Sequence, residues 1–130
     1  MRILDTDTCI ELLRGNERVI ERRRRTRDLV ATTWITAGEL YFGAAKSQRP
    51  ETNRQVVDEF LTTLDVLGLD QSAARAFGIN KGLLETAGQI IPDADLWIGA
   101  IAIATGGTIV TGNTRHVGRM AGVKTEDWIR

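Results

Sequence analysis

The chain opens Met1-Arg2-Ile3-Leu4-Asp5-Thr6-Asp7-Thr8, and the fold turns on how these residues are read. MRIL is a short apolar run of the kind that forms a buried strand. Asp5 and Asp7 stand two apart just where that strand should end. Behind them, Thr8-Cys9-Ile10-Glu11 has the Ser/Thr-x-x-Glu form of a capping box and leads into a helix, IELLR, that Gly15 stops. The two aspartates are a nucleophile with its acid partner, a pair of metal ligands, or the turn and cap between strand and helix.

The same alternation continues along the chain. NERVIERRRRTRD reads as a polar helix and LVATTWIT as a second strand rich in β-branched residues. Thr36-Ala37-Gly38-Glu39 is a second capping box, opening the helix ELYFGAAKS. ETNRQVVDEFLTTL puts Val56, Val57, Phe60, Leu61 and Leu64 on one helical stripe, and DVLGLD is a short strand. QSAARAFGINKGLLETAG is helical, and PDADLWIGAIAIATG is an almost wholly apolar helix with Pro92 at its first position. TIVTGN and VKTEDW read as a fourth strand and a last short one. Strands alternating with helices predict a parallel sheet covered on both faces. Ligands bind beyond the carboxyl ends of such strands, which collects Asp5, Glu39, Asp93, Asp95 and Asn113 at one end of the domain.

Composition narrows the classes. A chain of 130 residues with 42% apolar side chains is a common single-domain size and buries roughly two-thirds of its unfolded surface. Lys and Arg number 17, as do Asp and Glu; residues 1–65 carry 11 of each sign and residues 66–130 carry 6 of each. No basic arm or acidic tail exists, so a polyanion has to be held by local patches. The single Cys9 excludes an intrachain disulfide and a multi-cysteine metal site, and reads as a small buried residue. With no leader-like start and no apolar run of about 18 residues, the sequence reads as a soluble, cytoplasmic protein without a membrane partner.

Each acid has a local job that needs no chemistry: Glu39 closes a capping box, Asp93 or Asp95 meets a helix dipole, and Asp5 or Asp7 shapes a turn. A chemical alternative takes Asp5-Thr6-Asp7-Thr8 as the Asp-x-Asp of an aspartyl-phosphate (haloacid dehalogenase-like) phosphatase. Asp5 is then the nucleophile and Asp7 the proton shuttle, with Thr36, Lys81 and Asp95 in supporting roles. Against it, Cys9 stands where that pattern has Thr. The third reading is a divalent-metal nuclease: Mg²⁺ takes oxygen ligands from a few carboxylates plus water, and offsets the repulsion that converging carboxylates suffer alone.

Four stretches carry a more specific signal: Met1 to Ile10; Ile35-Thr36-Ala37-Gly38-Glu39-Leu40 leading into Gly43 to Ser47; Pro92-Asp93-Ala94-Asp95-Leu96-Trp97-Ile98; and Ile109 to His116. In this order and spacing, through to Glu126-Asp127-Trp128, they resemble the PIN-domain nucleases, and within these the VapC toxins of type II toxin-antitoxin pairs. The resemblance implies a single three-layer α/β/α PIN-like domain over residues 1–130 with a mainly parallel, four- to five-stranded central sheet. It implies a metal-dependent endoribonuclease that cuts structured RNA using Mg²⁺, with Mn²⁺ able to substitute. The implied partners are a VapB-type antitoxin in a hetero-oligomer and a second copy in a homodimer. A catalytically silent PIN-like binding module is the remaining alternative.

By the same resemblance, Asp5, Glu39 and Asp95 match the three family acids and are the expected catalytic and metal-binding residues. Asp7 matches a position that is often Asn in relatives, so it is not counted a direct metal ligand and is read as a turn residue or one set behind the ligands. Asn113 falls where many PIN nucleases carry a fourth acid. It forms a second tier with Asp93, Thr111 and Thr6. Residues two apart on a helix do not share a face, so Asp93 acts beside Asp95 only from before the helix proper. Thr111 and Asn113 share a strand face at period two. Arg115, His116 and Arg119 follow Asn113 and are placed to meet RNA phosphate. The run Arg22 to Arg27 reads first as a solvated helix face balanced by Glu17, Glu21 and Asp28. Trp34, Trp97 and Trp128 read as core.

Overall fold

The computed structural model describes residues 1–130. Five strands form one sheet: β1 (Arg2–Leu4), β2 (Val30–Thr33), β3 (Asp65–Leu67), β4 (Thr108–Val110) and β5 (Lys124–Glu126). Their order is β3-β2-β1-β4-β5 and every pairing is parallel. The register aligns Ile3 with Ala31 on one side and Ile109 on the other.

Alternation along β1 and β4 sets the two cores, because adjacent strand residues point to opposite faces. Leu4 and Val110 face one way, into Cys9, Val19, Leu40, Ala44, Val57, Phe60 and Trp128. These come from α1 (Thr6–Leu13), α2 (Glu17–Arg25), α3 (Trp34–Ala45), α4 (Pro50–Leu61) and the C-terminal segment. Ile3 and Ile109 face the other way, against Ile98, Ala102 and Val117 of α6 (Asp93–Thr105) and α7 (Thr114–Val117). Beyond α6, α5 (Gln71–Thr86) packs through Leu84, Leu96, Ile91 and Met120. The expected three layers are present, with the sheet wholly parallel.

The local expectations fail at two helix starts, and both failures bear on the site. The first helix begins at Thr6, and its cap is Asp5, whose side chain accepts from the Thr8 N–H at 2.9 Å. Thr8, read as the cap, is buried and donates its hydroxyl to the Val110 carbonyl at 3.0 Å. The second strand ends at Thr33, which caps α3 by accepting from the Thr36 N–H at 3.1 Å. Glu39 therefore closes no capping box. In both places the chain passes from strand to helix with at most one residue between them, which moves the cap upstream of the Thr-x-x-Glu signal.

Trp34 is a further correction: it starts α3 instead of ending β2 and is 58% exposed. Trp97 stacks on Phe77 with ring centroids 3.7 Å apart, and Trp128 is fully buried. Val56, placed on the apolar stripe of α4, points outward, while Val57 and Phe60 are buried. The arginine run is largely internal in its bonding. Arg22 Nη2 donates to Glu126 Oε1 at 2.5 Å, Arg23 reaches the Thr63 carbonyl at 2.8 Å, and Arg24 and Arg25 both pair with Glu21. No helix is long and apolar enough to cross a membrane.

Candidate active site

The chain builds β2 and β3 to one side of β1, then crosses the sheet to build β4 and β5 on the other. The reversal falls between β1 and β4, so a crevice opens there beyond the strand ends. Asp5 follows β1 and Thr111 follows β4. Asp5, Asp7, Asp95, Ile98, Thr111, Asn113 and Val117 line a cavity of about 20 Å³ at this point. That is room for about one water or one ion of similar size.

Asp5 is 9% exposed and is fixed from both ends: its N–H donates to the Val110 carbonyl at 3.0 Å and its Oδ1 caps α1. Burial pushes its carboxyl up to about 6, against hydrogen bonds from Thr111 and Thr8 that favour the ionised form, while the charge on Asp7 adds to the rise. Asp95 stands in the first turn of α6, with His116 Nδ1 3.5 Å from its Oδ2. The Asn113 amide nitrogen lies 2.9 Å from the same ring nitrogen, so the imidazole edge is shared between Asn113 and Asp95. Thr111 and Asn113 meet as expected but not as strand neighbours. β4 ends at Val110, and the Asn113 N–H bonds back to Thr111 Oγ1 at 2.9 Å.

Of the candidate residues, Glu39, Asp93, Thr6, Arg115, His116 and Arg119 stand outside the cavity lining. Glu39 is exposed, and Thr6, the residue between Asp5 and Asp7, donates from its Oγ1 to Glu39 Oε1 at 2.5 Å; the same hydroxyl lies 3.1 Å from Thr36 Oγ1. Asp93 faces away and pairs with Lys81 Nζ at 3.1 Å. Arg115 and Arg119 are exposed beyond Asn113. Asp7, read as a turn residue or one behind the ligands, lies in the first turn of α1, exposed but lining the cavity. The phosphatase layout is not assembled: Lys81 is held by Asp93 outside the cavity, and the Thr36 hydroxyl is turned to Thr6.

The donors fit a hard divalent cation in part. Asp5 and Asp95 supply carboxylate oxygens to one ion-sized space, and Mg²⁺ is commonly held by one or two carboxylates with waters completing its shell. No three acid, histidine or cysteine side chains stand close enough to grip one ion as they are. Glu39 joins only by leaving Thr6.

The buried carboxyl gives a pH signature. Asp5 titrates near 3.8 when unfolded and near 6 when folded. Between those values the folded state binds more protons, so the Asp5 contribution to stability falls as pH rises through that window, by up to about 3 kcal/mol. Denaturant titrations in EDTA, taken as the difference between wild type and Asp5→Asn from pH 4 to 7, should show this negative slope. A flat difference would mean that the carboxyl is not held in this desolvated state.

Comparisons with known proteins agree with the fold. The PIN domain family model matches residues 2–122. The chain is 35% identical to a tRNA(fMet)-specific endonuclease VapC of Shigella flexneri over 127 residues, covering 97% of this chain and 96% of the relative. It is 32% identical to ribonuclease VapC2 of Haemophilus influenzae, covering 98% and 97%. Its fold superposes on the crystal structure of DNA-bound VapBC from Salmonella typhimurium with a TM-score of 0.92, at 35% identity and 98% and 97% coverage.

Proposed function

The chain belongs to the PIN-domain family, alongside its VapC ribonucleases, and we propose that it is a cytoplasmic toxin of one PIN domain spanning residues 1–130. It hydrolyses phosphodiester bonds of structured RNA, a transfer RNA or ribosomal RNA loop, with Mg²⁺ or Mn²⁺, and is neutralised by a VapB-type antitoxin. The observation that carries this reading is the convergence of Asp5 and Asp95 in one ion-sized cavity at the switch point of the sheet.

Asp5 and Asp95 would hold the cation, with Glu39 reaching in from outside the cavity and Asn113 and Thr111 completing a polar wall. When bound, the cation supplies charge neutralisation at the phosphate and activation of the attacking water. The protein supplies position. Asp5 is locked by the start of α1, and the Thr111 hydroxyl and Thr8 N–H favour its ionised form. His116 and Asn113 fix the loop beside Asp95, while Ile98 and Val117 form the apolar part of the wall. Arg115, Arg119 and His116 would meet the phosphate backbone as it approaches; the exposure of both arginines supports this. The relatives' structures, solved as VapBC complexes, support the antitoxin partner and the hetero-oligomer. In the same reading a second copy of the chain covers some of the exposed apolar side chains, among them Trp34, Phe42, Ile79, Leu83 and Ile90.

The test is cleavage of total RNA in EDTA, Mg²⁺ and Mn²⁺ by wild type and Glu39→Gln. Glutamine still accepts from Thr6 but loses the charge. Cleavage that requires metal and falls more than about 10-fold in the variant is expected, at or beyond the loss seen when outer partners of a metal site are removed. Full metal-dependent cleavage by Glu39→Gln removes Glu39 from the ligand set. No cleavage by wild type, with no heat on titrating Mn²⁺ into EDTA-treated protein, would favour a silent binding module. Mapping the cut ends identifies the RNA.

A further inference from the structure

We propose that the open groove between α1 and the C-terminal segment carries the RNA strand next to the cleaved bond, with Arg14 and Arg130 as its phosphate contacts; the proposal rests on the ribonuclease reading above. Asp7, Ile10, Glu11 and Arg14 recur at helical spacing along one face of α1. Across from them lie Gly112, Asn113, Ile129 and Arg130, and the two walls enclose about 480 Å³. Asp7 and Asn113 also line the carboxylate cavity, so the groove begins where the candidate site ends. Seven residues of helix advance about 10 Å. Arg14 therefore sits far enough along to meet a neighbouring phosphate instead of the one at the carboxylates.

The two guanidiniums are positioned but not consumed. Their side chains are 73% and 72% exposed. Arg14 Nη1 is 3.7 Å from Glu11 and Arg130 Nη1 is 3.9 Å from Asp127, both beyond hydrogen-bond length. The two carboxylates have closer partners: Glu11 accepts from Asn16 Nδ2 at 2.9 Å, and Asp127 accepts from the N–H groups of Ile129 and Arg130. Arg130 donates to the Gly112 carbonyl, which anchors it to the loop bearing Asn113. The conspicuous Arg22 to Arg25 run, by contrast, is tied to Glu126, Thr63 and Glu21.

The experiment measures kcat/KM for cleavage of bulk transfer RNA, and equilibrium binding of the same RNA in Ca²⁺, between about 50 and 200 mM salt. Wild type is compared with the double variants R14Q/R130Q and R24Q/R25Q, with thermal melts to show that all are folded. R14Q/R130Q should raise KM, hold kcat, and flatten the logarithmic salt slope by about 1 to 2, at roughly 0.7 per lost contact to a single strand. R24Q/R25Q should leave the slope unchanged. An unchanged slope in R14Q/R130Q, or an equal change in R24Q/R25Q, overturns the proposal. So does an unchanged slope with weakened antitoxin binding, which would give the groove to the antitoxin. A chain that cuts no RNA yet shows the flattened binding slope fails the ribonuclease reading alone; one that cuts RNA with unchanged slopes fails the groove alone.

Discussion

Asp5→Asn is expected to abolish RNA cleavage while leaving the metal-free protein at least as stable as wild type. The two effects share one cause. Asp5 sits at the one place where a helix cap, a buried carboxyl and the candidate metal cavity coincide. Asparagine caps a helix as well as aspartate does, so the Thr8 N–H keeps its partner. What is lost is the negative charge, and with it the oxygen donor that burial made costly to ionise. Activity should fall by more than about 100-fold, past the range typical of outer partners of a metal site. The unfolding free energy from urea titration in EDTA above pH 6 should hold or rise, by as much as about 3 kcal/mol if no other contact changes. Loss of activity with a large loss of stability would make Asp5 a structural residue, and retained activity would remove it from the site.

Trp128→Ala should have the largest effect on stability. Trp128 is fully buried among Leu4, Val19, Val110 and their neighbours, closing the core on the α1 to α4 side of the sheet. Its Nε1 donates to Glu126 Oε1 at 3.1 Å. Glu126 also accepts from Arg2 Nε at 2.6 Å and from Arg22. Burial pushes this carboxyl up, but the hydrogen bonds from Arg2, Trp128 and Arg22 outweigh it and hold it below its ordinary value. One carboxylate thus joins β5, β1 and α2 under the indole. Truncation to alanine should cost about 3–5 kcal/mol, a fall in Tm of about 10–20 °C. Trp128→Phe keeps most of the volume and loses only the Nε1 bond, so it should cost about 1 kcal/mol. Thermal melts of the two variants decide between packing and hydrogen bonding as the main term: equal losses would show that the bond, not the burial, matters.

The layers, the parallel sheet and the position of the site were legible because they follow from alternation of short apolar runs with helices. Asp5, Thr111 and Asn113 could be placed from the strand ends, and Asp95 from the start of the apolar helix behind Pro92. The helix starts were not legible, since Thr-x-x-Glu marks a cap only if the chain has not already entered the helix. At Thr6 and Trp34 it had, and Glu39 was freed from the backbone role that its spacing suggested. Trp34 was misread for the same reason, a β-rich composition that tertiary context overrode. His116 illustrates a different limit: its contact with Asp95 depends on α7 folding back over α6, which no local pattern encodes. Arg14 lies seven residues from Asp7 on a helix that was foreseen, so its place on the groove face was available from spacing; Arg130 was not.

The switch point has a consequence in time. β1 pairs with β2 early in the chain, but its other neighbour, β4, and the cavity wall formed by Asp95, Thr111 and Asn113 come from the last third. A nascent chain carrying Asp5 and Glu39 has no cavity until that last third is added. Domains complete their cores as units while the ribosome adds residues from the N-terminal end. The cavity, and any cleavage that depends on it, is therefore completed only once the fourth strand pairs with the first.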